Sequence, residues 1–264
     1  MKHHINGAEL YIAEKGQGAP VILLHGFPLD HRMWQAQVEA LSENYRVITP
    51  DLRGMGHSDV PVANISIEQY ADDILTMMDK MDIQKAALGG FSMGGYVAFA
   101  LLRKAPKRFT ALLLANTRPE ADGLEARKNR MNMAVALYDK GANAARDAML
   151  PKLLTEQTAN DHPGLVESIS AVMASMPAEG LVHASLAMAF RADSVDLLGS
   201  ISVPTLVIAG EKDPIAPPDV MSKMADAIPS ANFHAIPAAS HLTPMENPEA
   251  FNALLLEFLK GVTA

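Results

Sequence analysis

Cysteine is absent from the 264-residue chain, which excludes thiol nucleophiles, thiolate metal sites and a disulfide framework. Basic residues are outnumbered, 22 Lys and Arg against 30 Asp and Glu, for a formal charge of −8. That field repels phosphate backbones and anionic headgroups, so neither nucleic acid nor a membrane surface is expected as a partner. No run approaches the ~18 continuous apolar residues of a membrane span, and Met1 to Gly7 has no signal-peptide apolar region. A cytoplasmic protein is expected. Repeats, low-complexity tracts and linkers are also missing.

With 49% hydrophobic and 20% charged residues, the chain can supply one ordinary core without disulfides or metal. Its length stands near the ~250-residue limit of a single core, which suits one domain carrying an insertion. Asn6-Gly7 marks a type I′ hairpin between His3-His4-Ile5 and Ala8 to Glu14, because both turn positions need positive φ. The continuously apolar runs Val21–Leu24, Ala86–Gly89, Ala111–Ala115 and Thr205–Ala209 read as strands covered on both faces, as in a parallel sheet. Arg46–Thr49 and Asn232–Ile236 are two further strands. Helices are predicted over Ser66–Met81, Met93–Arg103, Asp219–Ile228 and Pro248–Lys260, the first capped by Ser66 with Gln69 three residues on. Between Arg118 and Gly199 the pattern turns wholly helical, broken by Pro151, Pro163 and Pro177. The expected organisation is a core domain of residues 1–117 and 200–264, with residues 118–199 inserted as a helical lid.

Gly90-Phe91-Ser92-Met93-Gly94 is a G-x-S-x-G pentapeptide lying between a buried strand and a helix, the context the motif requires. A sharp strand-to-helix turn lifts Ser92 clear of the sheet, and a Cβ at either flanking glycine would collide with its neighbours. The serine needs a base within hydrogen-bond reach and a third group to hold that base's tautomer. Asp213, in Gly210-Glu211-Lys212-Asp213-Pro214, and His241, in Ala239-Ser240-His241-Leu242, both follow strands and share the carboxyl edge of the sheet. The order Ser, Asp, His is the one associated with such a fold. Glu211 is the nearest substitute for Asp213 and ranks below it.

His25-Gly26-Phe27-Pro28 follows the first central strand, so the backbone N–H groups of Phe27 and Met93 are assigned as oxyanion donors. His25 reads as a brace for this loop. The turn Asp51-Leu52-Arg53-Gly54-Met55-Gly56-His57-Ser58 lacks the phosphate-binding pattern and reads as a shaper of the pocket wall. Met131, Met133, Met173 and Met188 read as lid core.

Together these motifs resemble the α/β-hydrolase superfamily over nearly the whole chain, and within it the group holding 3-oxoadipate enol-lactone hydrolases and small carboxylesterases. Phe27-Pro28-Leu29-Asp30 with Met33-Trp34 also resembles the cofactor-free haloperoxidases, whereas Ala187 to Asp193 looks more like the enol-lactonase branch. The resemblance implies a serine hydrolase of small esters or lactones that needs no cofactor or metal. Dehalogenases and epoxide hydrolases of this fold use an aspartate where Ser92 stands; hydroxynitrile lyases and carbon–carbon bond hydrolases keep the serine. A non-catalytic small-molecule receptor of the same fold is the rival class. Trp34 and Arg191 are candidate substrate contacts. Arg191 is singled out because it ends the apolar run from Leu186 to Phe190 and could meet a substrate carboxylate, the alternative being a salt bridge to Asp193 or Asp196.

Overall fold

A computed structural model describes residues 1–63 and 65–263. The chain opens with β1 (Lys2–Ile5) and β2 (Ala8–Lys15), an antiparallel pair turned by Asn6 at φ +46° and Gly7 at φ +78°. β3 (Ala19–Leu24) leads through a 3-10 turn, His31–Trp34, into the short helix α1 (Gln35–Leu41) and then β4 (Tyr45–Pro50). Helix α1 goes beyond the elements read from the sequence; at seven residues it is too short to show a period. α2 (Ile67–Lys80), β5 (Ala86–Phe91), α3 (Met93–Lys104) and β6 (Phe109–Ala115) continue the alternation. Ser66 caps α2 by accepting the Gln69 N–H at 3.2 Å.

Six helices then follow without a strand among the described residues: α4 (Leu124–Lys140), α5 (Asn143–Leu153), α6 (Glu156–Asp161), α7 (Pro163–Ala174), α8 (Ala178–Ala189) and α9 (Val195–Leu198). The sheet resumes with β7 (Thr205–Gly210), and α10 (Pro218–Asp226), β8 (Ala231–Ile236), α11 (Thr243–Glu246) and α12 (Pro248–Thr263) complete the chain. No single helix among the described residues is long and apolar enough to cross a membrane.

The eight strands form one sheet in the order β1-β2-β4-β3-β5-β6-β7-β8, antiparallel at β1/β2 and β2/β4 and parallel thereafter. Alternate residues of the buried strands feed two cores. Ile22, Leu24, Leu112 and Leu114 pack with α2, α3 and α10 on one face. Val21, Leu23, Ala111 and Leu113 pack with Trp34, Leu41 and Phe251 on the other. Each leucine or isoleucine so buried contributes roughly 1.5–3 kcal/mol, which is why strands apolar at every position suit this sheet. The inserted helices extend both cores: Leu137 and Leu181 join the first, Leu153, Ile169 and Met173 the second. Met173 and Met188 are core residues, Met133 is half-buried, and Met131 is exposed on the outer side of α4, contrary to its reading as lid core.

Candidate active site

The parallel strands deliver their carboxyl ends to one edge, where β3, β5, β6, β7 and β8 are followed by His25, Ser92, Asn116, Asp213 and His241 in turn. Ser92 stands between β5 and α3 with φ +51° and ψ −113°, a conformation costly for a residue with a Cβ. Its surroundings hold it there: the Ser92 N–H donates to Ala115 O at 2.9 Å, and its carbonyl accepts Gly95 N at 2.9 Å and Thr117 Oγ1 at 2.8 Å. The turn is tight enough that a Cβ on Gly90 would lie 2.5 Å from Gly94 O, and one on Gly94 would strike the Leu24 carbonyl.

His241 Nε2 lies 3.0 Å from Ser92 Oγ, and its Nδ1 lies 2.8 Å from Asp213 Oδ2. An ionised carboxylate only accepts, so the Nδ1 proton faces Asp213 and the Nε2 lone pair faces the serine hydroxyl. Both side chains of the His241–Asp213 pair are essentially shut off from solvent. Asp213 Oδ1 accepts the N–H groups of Ile215 at 2.7 Å and Ala216 at 3.0 Å, while Oδ2 also accepts Asn116 Nδ2 at 2.9 Å. Burial alone pushes the Asp213 carboxyl up, but His241 and these donors together outweigh it and hold the group below the ordinary carboxylate range. Glu211 is exposed and accepts the Ala238 N–H at 2.9 Å; its hydrogen bond runs to that turn, whereas His241 pairs with Asp213.

Asn116 is a site residue that sequence reasoning passed over. It sits at φ +46° after β6, donates to Asp213, and accepts Thr243 Oγ1 at 2.5 Å. The available signal was a polar residue at a strand's carboxyl end, on the same edge as the other three.

The loop after β3 comes against Ser92, since a Cβ on Gly26 would lie 3.1 Å from Ser92 Cβ. The Phe27 and Met93 N–H groups have no protein acceptor among the described residues, and they flank Ser92 from this loop and from the start of α3. His25 is fully buried and braces the loop: Nδ1 lies 3.1 Å from Gly26 O and Nε2 accepts Leu52 N at 2.9 Å. Accepting at Nε2 requires neutral imidazole, and burial holds its pKa below the ordinary 6.5.

Two substrate contacts read from the sequence are corrected. Trp34 is wholly buried on the second core face, edge-on to Phe91 at 6.4 Å and tilted against Phe251 at 6.1 Å, so it supports the β5 strand end instead of meeting a substrate. Arg191 is 4% exposed and both terminal nitrogens are engaged: it pairs with Asp122 at 2.6 Å, donates to Met188 O and Glu120 O, and stacks 4.1 Å above the Tyr96 ring, while its Nε is buried without a partner. The partner is Asp122, which precedes α4, and not Asp193 or Asp196. Arg191 ties the end of the inserted helices to α3 and the chain entering α4.

That insertion is also stapled to the His241 loop. Leu242 N donates to Leu153 O at 2.9 Å and Ser240 Oγ to Lys152 O at 3.2 Å. Glu246 bridges the two, accepting Ser240 N at 2.6 Å through one oxygen, and Thr155 N at 2.7 Å and Thr155 Oγ1 at 2.8 Å through the other. A cleft of about 480 Å³ opens beside it, lined by Leu29, Met33, Leu165, Ile169, Val172 and Met245 among others. The Asp51–Ser58 turn carries a second set of supports: Arg53 forms a buried pair with Asp73 at 2.7 Å, and the Gly56 N–H meets Met176 Sδ of the insertion at 3.3 Å.

Residues 19–248 match the family model described as alpha/beta hydrolase fold. The chain is 34% identical to 3-oxoadipate enol-lactonase 1 of Acinetobacter baylyi over 250 residues, 93% of this chain and 91% of that one. Among solved structures it is similar to a malate-bound thermophilic esterase from Thermogutta terrifontis, with TM-score 0.97 and 42% identity, covering 100% of this chain and 99% of that one. The enol-lactonase of Burkholderia xenovorans gives TM-score 0.92 and 33% identity, covering 98% and 100%.

Proposed function

The chain belongs to the alpha/beta hydrolase fold family, and from that premise we propose that it cleaves small carboxylic esters or lactones through an acyl-enzyme on Ser92. The observation that carries the reading is the unbroken relay from Asp213 Oδ2 through His241 to Ser92 Oγ, at 2.8 and 3.0 Å, with the serine held at positive φ. His241 Nε2 takes the hydroxyl proton as Oγ attacks the carbonyl carbon, and Asp213 stabilises the imidazolium. The Phe27 and Met93 amides receive the oxyanion, each such donor being worth roughly 100- to 1,000-fold in rate. Collapse of the tetrahedral intermediate breaks the ester C–O bond, and the leaving oxygen takes the proton from His241. Water, deprotonated by His241, then attacks the acyl carbon and releases the acid and free Ser92.

The esterase and enol-lactonase names of its relatives support a carboxylic ester hydrolase over other chemistries of the fold. A narrower reading, substrates that carry a carboxylate, is favoured by Arg127. It recurs with Arg130, Ala134 and Leu137 on the inward side of α4, its Nε is buried without a partner, and no acid pairs with it among the described residues. Other arginines of residues 118–199 have identified partners: Arg130 and Arg191 pair with Asp122, and Arg118 donates to Ile215 O. The test is one panel of p-nitrophenyl esters of rising chain length, aromatic esters, lactones and an enol-lactone, with peroxide-dependent peracid formation followed alongside. Turnover of esters or lactones above peracid formation is expected, and peracid formation as the dominant activity would move the assignment to the perhydrolases.

A further inference from the structure

Away from the triad, three side chains from separate segments converge. Asp51, after β4, is wholly buried. Its Oδ1 accepts the His31 N–H at 2.9 Å and lies 2.7 Å from His31 Nδ1, while Oδ2 accepts the His57 N–H at 2.8 Å and lies 3.5 Å from His57 Nδ1. One donor atom from each of the three falls within 4.8 Å of the others. The Tyr11 ring packs 4.9 Å from one imidazole and 5.0 Å from the other, limiting their swing. Gly56, at φ +57°, lets the turn hug the carboxylate so closely that a Cβ there would run into it.

We propose that His31, Asp51 and His57 form a binding site for a divalent transition ion of the zinc type. Donors about 2.0–2.1 Å from a tetrahedral ion stand roughly 3.3 Å apart; here His31 Nδ1 lies 2.7 Å from one Asp51 oxygen and His57 Nδ1 lies 3.5 Å from the other, so small side-chain rotations bring one donor of each residue to that spacing. Two imidazoles with one carboxylate suit zinc and its neighbours, whereas magnesium and calcium take oxygen ligands. The proton that His31 Nδ1 donates to Asp51 moves to Nε2 when Nδ1 ligates. The His57 side chain is 58% exposed, which gives the ion an entry path and water a place as fourth ligand. The bound ion cross-links the turn that follows the Phe27 loop to the turn that touches Met176 of the insertion, so it stabilises the folded chain.

The test is calorimetric titration of Zn²⁺ into the chelator-stripped full chain, with thermal unfolding in and out of Zn²⁺. One ion per chain and a raised Tm are expected. His57→Ala keeps the backbone N–H to Asp51 and removes only an exposed ring; it should weaken binding at least about tenfold and cancel the rise in Tm. The double variant His3→Ala, His4→Ala, which removes half-buried His3 and exposed His4 beside Glu9, should bind as the unaltered chain does. Absence of binding, affinity retained in His57→Ala, or loss confined to the His3, His4 variant would each overturn the site.

Discussion

At the scale of the residue, Asp213 and Glu211 compete for one role two positions apart, and their surroundings separate them. Asp213 faces His241 with three further donors around it, whereas Glu211 holds the Ala238 amide at the surface. Asp213→Asn turns a donor toward Nδ1 and forces the wrong tautomer, so kcat on a p-nitrophenyl ester should fall by on the order of 10⁴. Glu211→Gln should stay within a few-fold; a greater loss from Glu211 than from Asp213 would reverse the assignment. Arg127→Gln should raise KM for carboxylate-bearing substrates by ten-fold or more and leave neutral esters nearly untouched, as expected when a charge-assisted contact is lost. Equal losses on both classes would make Arg127 structural. Ser92, Asp213 and His241 were legible because each lies in a short local pattern at a strand end. Asn116 was not, since Ala115-Asn116-Thr117 reads like any strand terminus. Trp34 and Arg191 were misread because local sequence leaves side-chain direction open: the core claims one, Asp122 and Tyr96 the other.

At the scale of the element, the His241 loop and the inserted helices share one carboxylate, Glu246. Glu246→Gln keeps one acceptor oxygen and turns an amide against donors, a loss of about 1.5–3 kcal/mol if the charge-assisted bonds go. Because Ser240 precedes His241, the proposed base, the variant should also lower kcat by ~10- to 100-fold with KM changing less. A lowered Tm with unchanged kcat would show that the staple holds the insertion without positioning His241. The strands and long helices could be read from the chain because their apolar runs match the faces they bury. Helix α1 is a single short element after a 3-10 turn, with no period to read. The insertion's helical character was legible; its staples depend on contacts between residues some 90 positions apart.

At the scale of the whole molecule, the alternation of buried strands and helices announced a parallel sheet, while the order β2-β4-β3-β5 depends on crossovers that no local pattern encodes. Stability should carry a mark of His25. Its folded pKa is lowered by burial, so below about 6.5 the unfolded chain takes up a proton that the folded chain resists. The contribution is complete above that value and is lost as pH falls through the window beneath it. The urea midpoint should therefore drop between about pH 7.5 and 5.5, with an NMR titration finding His25 still neutral at 6.5. A flat midpoint with His25 protonated at 6.5 would contradict the brace.

The central claim is that Ser92 is the nucleophile, and an active-site phosphonate tests it most directly. Intact and peptide mass spectrometry, read beside turnover of p-nitrophenyl acetate, should find one adduct per chain on Ser92, with activity lost in proportion to labelling. The folded Ser92→Ala variant should take no label and lose at least ~10⁴-fold in kcat. Labelling at another residue, or turnover retained in that variant, would contradict the account.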